Sequence, residues 1–117
     1  MIVVIPVDDD KETLCVSFGR APYFMFVDSD NEEIAIKENP AADTPGGAGI
    51  KAAQFIVDNN ADVLITVRCG ENAAEVFRAA NISIYKATHG TARENYRFYK
   101  GEKLEALTQF HAGFHGI

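Results

Sequence analysis

Ile2-Val3-Val4-Ile5-Pro6-Val7 is an unbroken apolar run built mostly from β-branched residues. A strand with one wet face alternates apolar and polar positions, so a run that is apolar throughout marks a strand covered on both sides. Such a strand needs helices above and below its sheet. Two further runs, Asp62 to Val67 and Ile82 to Tyr85, read as core strands, with helix-periodic stretches between them. Alternation of this kind predicts a three-layer α/β fold: a mixed, mostly parallel sheet with helices on both faces.

Asp8-Asp9-Asp10 ends the first run, Leu14 to Ser17 reads as a short strand, and Phe18 to Pro22 as a turn. Tyr23 to Val27 and Ile34 to Lys37 flank Asp28-Ser29-Asp30-Asn31-Glu32, the pattern of a hairpin. Thr44-Pro45 pairs a hydroxyl cap with a proline suited to the first helical position. In the helix that follows, Ala52, Ala53, Ile56 and Val57 share a core face, and Lys51, Gln54 and Asp58 form a polar stripe. Glu71 to Ala80 repeats apolar residues at Ala73, Val76, Phe77 and Ala80. Thr91 with Glu94 fits a capping box, opening a helix that ends near Gly101. Residues 1–108 are read as a single domain, and 109–117 as a flexible His- and Gly-rich tail.

With 117 residues, 47% of them hydrophobic, the chain can bury one core. Its net charge of −6, from 17 acidic and 11 basic residues, repels phosphate backbones. The only loose basic group is Arg93, Arg97, Lys100 and Lys103, so no nucleic-acid partner is expected. No apolar run approaches the ~20 residues that span a bilayer, so no membrane association is expected either. No basic segment precedes the first apolar run, which therefore reads as a strand and not a signal peptide. Cys15 and Cys69 lack CxxC spacing and read as free thiols in a reducing, cytoplasmic setting.

In open α/β sheets ligands bind beyond the carboxyl ends of the strands, and three unusual loops are expected there. Asp8 to Asp10 offers carboxylates for a hard cation, or a solvated turn. Gly46-Gly47-Ala48-Gly49 precedes a helix and could present free N–H groups to an anion, or simply pack closely. Its spacing matches neither GxGxxG nor a phosphate-binding Walker loop. Cys69-Gly70 opens the next helix beside Arg68, a setting expected to lower the thiol pKa and make a metal ligand. The structural alternative is a small buried hydrophobe, and Cys15, mid-strand, is read that way. His89 follows the third core strand; His111 and His115 stand four apart in the tail.

The chain resembles the dinitrogenase iron–molybdenum cofactor biosynthesis family, the small domains related to NifX and to the C-terminal part of NifB. The resemblance spans nearly the whole chain. It rests on Ile2 to Val7, Phe18-Gly19-Arg20-Ala21-Pro22-Tyr23-Phe24, Gly46-Gly47-Ala48-Gly49, Gly70-Glu71-Asn72-Ala73, Ile82-Ser83-Ile84-Tyr85 and Tyr99-Lys100-Gly101-Glu102-Lys103-Leu104. It implies a ribonuclease-H-like fold and a carrier, not a catalyst, of iron–sulfur or molybdenum-containing clusters. The family often has histidine before Phe-Gly in the first motif, a candidate cluster ligand; here Ser17 stands there, a poor ligand for soft metals.

The resulting expectation is a cluster-binding protein. Ser17, Gly46, Gly47, Gly49, Cys69 and Gly70 would contact the cargo, and Cys69, His89, His111 and His115 are the candidate metal ligands. Its partners would be cluster donor and acceptor proteins, and the chain a monomer or weak homodimer. Competing readings are a small-anion or nucleotide-binding regulatory module, and a metal-dependent hydrolase built on Asp8, Asp9 and Asp10.

Overall fold

The structure is a computed structural model that describes residues 1–110. Its elements run β1 (Ile2–Val7), β2 (Tyr23–Asp28), β3 (Ile34–Glu38), α1 (Ala48–Asp58), β4 (Val63–Thr66), α2 (Glu71–Ala79), β5 (Ser83–Lys86) and α3 (Ala92–Lys100). They form one sheet in the order β3-β2-β1-β4-β5. β2 pairs antiparallel with both β1 and β3, while β1, β4 and β5 pair in parallel. Four of these five strands therefore point one way and only β2 opposes them.

The apolar run of β1 is central, as its composition requires. Val4 faces a core shared with Phe24, Leu64, Ala52, Ile56, Ala73 and Phe77, beneath α1 and α2. Val3, Ile5 and Val7 face the opposite core with Met25, Ile65, Ala92 and Tyr96, beneath α3. This is the three-layer arrangement, with two helices on one face and one on the other. The hairpin forms in register, with Met25 opposite Ile36.

Several local expectations are corrected. Leu14 to Ser17 is not a strand but makes single bridges from Leu14 to Val7 and from Ser17 to Arg68. The segment crosses the end of the sheet and meets one element after another, so no ladder can propagate. The first helix starts at Ala48 and not at Thr44-Pro45; its N-cap is Gly47, at φ +69°. The Arg20 guanidinium donates to the carbonyls of Thr44 (2.6 Å), Ala42 (3.3 Å) and Pro45 (3.5 Å), which holds that stretch as a loop. On α2, Ala74 is buried in place of Ala80, which caps the helix end and is exposed.

β5 is the last strand of the sheet and only partly buried, not a core strand. Its outer edge is covered by the chain after α3. Lys86 N–H donates to the Glu105 carbonyl at 2.7 Å, and Leu107 N–H to that of Ile84 at 3.0 Å. Phe110 packs on the α1–α2 core, with the Arg78 guanidinium 5.3 Å from its ring centre. The stretch 109–117, read from the sequence as a tail, is described only through Phe110, and its His111 and His115 lie outside the described residues.

Candidate functional site

Four of the parallel-running strands end at the same side of the sheet, and the loops that follow them meet there. The β3–α1 and β4–α2 loops lie on one face and enclose, with the segment after β1, a cavity of about 720 Å³. Ser17, Gly46, Gly47, Gly49, Cys69 and Gly70 all line it, together with Phe18, Gly19, Arg20 and Arg68. Six residues expected from the sequence to share a site are therefore neighbours in space. The Ser17–Arg68 bridge fixes the first loop against the end of β4.

The glycines divide into two roles. A Cβ on Gly19 would lie 3.1 Å from the Gly49 backbone, so Gly19 is needed for close packing of its loop on the start of α1. Gly46 and Gly47 face open space, and Gly47 adopts a left-handed backbone that a side chain would strain. Close packing accounts for Gly19 but not for these two, whose effect is to leave the loop amides bare.

Those amides are the cavity's main polar resource. Neither Gly47 nor Gly70, the N-caps of α1 and α2, supplies a capping side chain. Among the described residues, the N–H groups of Gly46 to Ile50 and of Glu71 to Ala73 find no acceptor. An uncapped helix start presents several such donors and the positive end of the helix dipole. Two starts open on one cavity here. Among the described residues no carboxylate lines it, although the chain carries a net −6. Arg68 is exposed and forms no ion pair among the described residues. The arrangement suits an anion.

The predicted ligands fare differently. Cys69 is 1% exposed, its thiol donating to the Gly70 carbonyl at 3.5 Å. Burial pushes that thiol up to about 12, against a smaller opposing pull from Arg78. The expected lowering by Arg68 and the helix start is thus reversed: the side chain turns into the core, where a thiolate would lose its hydration. Cys15 behaves alike, raised to about 11 chiefly by burial. His89 is exposed in the β5–α3 loop, on the α3 side of the sheet, and is not part of the cavity wall. Among the described residues no three His, Cys, Asp or Glu side chains are placed to hold a metal ion. Asp10 closes its own turn, accepting from the N–H of Glu12 (2.9 Å) and Thr13 (2.8 Å), so the solvated-turn reading holds there.

Sequence reasoning missed the residues that hold these loops in place. Buried Asn39 donates to the carbonyls of Gly19 (3.1 Å) and Ala21 (2.9 Å) and accepts from Ala41 N–H at 2.9 Å. Arg20 clamps the loop before Gly46 from the other side. Both links join residues about twenty positions apart, and no local pattern signals them. Val16 and Ile50, 56% and 46% exposed, also line the cavity and form an apolar rim at its mouth.

An αβα sheet with a cavity at its carboxyl edge, lined by the motif residues, is the architecture expected of the family the motifs resemble. Residues 1–102 match the family model described as dinitrogenase iron-molybdenum cofactor, and the chain belongs to that family. It is 32% identical over 108 residues to an uncharacterised protein of Methanocaldococcus jannaschii, 90% of each chain being covered. A solved Thermotoga structure, provisionally assigned as a NifB protein, is 32% identical with a TM-score of 0.79, covering 93% of this chain and 95% of that one. The apo form of the orange protein from Desulfovibrio gigas shares the fold at a TM-score of 0.85 and 24% identity, with 92% of both chains covered.

Proposed function

We propose that this chain carries a preassembled, anionic metal–sulfur cluster as cargo in the cavity between α1 and α2. The observation that carries the reading is the meeting of two uncapped helix starts and Arg68 in one cavity that no carboxylate of the described residues lines. Sulfide and oxo groups on a cluster surface accept hydrogen bonds, so bare amides and a guanidinium can hold it without any protein–metal bond. A protonated, buried Cys69 then forms part of the wall and is not a ligand. Ser17, a poor ligand for soft metals, fits the same scheme as a hydrogen-bond donor. Membership of the dinitrogenase iron-molybdenum cofactor family supports this cargo class. Donor and acceptor proteins would meet the cargo at the mouth, over Val16 and Ile50.

The test is anaerobic reconstitution. The purified chain is offered tetrathiomolybdate, alone and with iron and sulfide, and visible absorption and metal content are followed through gel filtration. The expected result is a chromophore that elutes with the protein and is lost in Arg68→Glu. Absence of a chromophore under every condition would overturn the proposal. Binding of phosphate or a nucleotide in the same cavity, without any chromophore, would instead establish the anion-binding regulatory module.

A further inference from the structure

The two edges of the sheet are treated differently. The β5 edge is covered by the chain's own residues 105 to 107, whereas β3 forms the other edge with all five of its residues exposed. An exposed edge strand is a template for pairing, and proteins usually guard it with proline, a bulge or a projecting lysine. β3 has no proline. Its one lysine, Lys37, turns back over the sheet, with Nζ 2.7 Å from Asn59 Oδ1 and 5.0 Å from the centre of the Phe26 ring. The guard is withdrawn.

The direction of the free groups follows from the ladder. Asn39 N–H donates to the Pro22 carbonyl at 3.1 Å, and Asp28 N–H to that of Glu33 at 2.9 Å, so residues 33 and 39 bond toward β2. Bonding direction alternates along a strand, so residues 35 and 37 do the same. The N–H and C=O groups of Ile34, Ile36 and Glu38 therefore point outward. The side chains of Ile34 and Ile36 stand on the α3 face, opposite Val27 and Met25, and remain 37% and 36% exposed.

We infer that β3 pairs antiparallel with β3 of a second copy, about a two-fold axis at Ile36. That register sets Ile36 against Ile36 and Ile34 against Glu38, and satisfies the outward groups with about six backbone hydrogen bonds, two per narrow pair. The four isoleucines form one apolar strip. The charges also match. Ile34 shares a shallow surface cavity with Arg93 and Arg97, neither of which is in an ion pair among the described residues. Glu38 of one copy therefore arrives beside Arg93 and Arg97 of the other, and the two-fold axis makes the contact twice. The one carboxylate already in that cavity, Glu32, is held by the Tyr96 hydroxyl and by Lys100 at 3.8 Å. Two short edges bury little area, so the dimer exchanges with monomer. No residue of the cluster cavity lies in β3, and both mouths stay free.

Sedimentation across a wide concentration range tests this. The wild-type chain is expected to pass from one to two monomer masses as concentration rises. Ile36→Lys, which sets two cations face to face, should stay monomeric throughout with an unchanged circular dichroism spectrum. Glu38→Arg should raise the concentration of half-dimerisation at least about tenfold, and adding Arg93→Glu and Arg97→Glu should restore it. A wild type that is monomeric at every concentration overturns the inference. So does a dimer indifferent to Ile36→Lys, or a charge swap without rescue.

Discussion

Three helices begin at the carboxyl edge of the sheet, and they begin in two different ways. α3 is closed: Thr91 accepts from Glu94 N–H at 3.1 Å, Glu94 accepts from Thr91 N–H at 2.9 Å, and Ala92 N–H donates to Glu12. α1 and α2 begin at glycines with their amides bare. A capping box stabilises a helix start, so α1 and α2 forgo a stabilisation that α3 has. The bare starts share a cavity with Arg68, and the closed one lies on the opposite face. On the function proposed above, the anion site is written in those missing caps.

Four perturbations bear on this contrast, in order of expected effect. Reversing the exposed cation by Arg68→Glu should weaken tetrathiomolybdate binding by about 100-fold, or ~3 kcal/mol, since charge-assisted hydrogen bonds are the strong ones. Equilibrium dialysis reads this, with thermal stability unchanged. On the closed side, fully buried Asn95 bonds the N–H and C=O of Thr88 at 2.8 and 2.9 Å and the Thr91 carbonyl at 3.0 Å. Asn95→Ala strands those groups and should cost about 2–3 kcal/mol in urea unfolding, with little change in binding for the surviving fold. Gly47→Ala imposes a left-handed residue on the open side and should cost about 1 kcal/mol of stability and several-fold in binding. Thr91→Ala should cost about 1 kcal/mol of stability and leave binding unaltered. If Thr91→Ala and Gly47→Ala affect binding alike, the two kinds of helix start are not functionally distinct.

The cysteine supplies a pH test. Cys69 is raised from 9.0 to about 12 in the folded chain, so the folded state holds its proton where the unfolded state releases it. Its stabilising contribution is full below pH 9 and declines from there toward pH 12. Replacing it with alanine should flatten the fall in unfolding midpoint over that window. Because the thiol stays protonated near neutrality, Cys69→Ser should alter cluster binding by less than about twofold. A tenfold loss in Cys69→Ser at unchanged stability would identify a thiolate ligand.

Much of the fold was legible because its determinants are local. The run of β1, the hairpin around Asp28 to Glu32, the periodic face of α2 and the Thr91–Glu94 box each carry their own pattern within a few residues. Strand β5 was placed correctly along the chain but assigned to the core, since an apolar run does not reveal which neighbour it lacks. Ser17, Gly46, Gly47, Gly49, Cys69 and Gly70, singled out from the sequence, line one cavity, so that much of the proposed site's make-up could be read from local motifs. Its electrostatics could not. Position before a helix predicted an activated thiol, but ionisation depends on which way the side chain turns, and Cys69 turns inward. His89 was expected at the same edge, and it is; it sits in the loop leading into α3, which packs on the other face from α1 and α2. The Arg20 and Asn39 ties are long-range contacts that no sequence window holds.

The most direct measurement is amide NMR of the labelled chain titrated anaerobically with tetrathiomolybdate. Large shifts are expected for the amides of Gly46 to Ile50 and Glu71 to Ala73, with those of Ala92 to Asn95 unmoved. Binding that shifts the α3 amides or the His89 loop, and leaves the two glycine-capped starts untouched, would contradict the account.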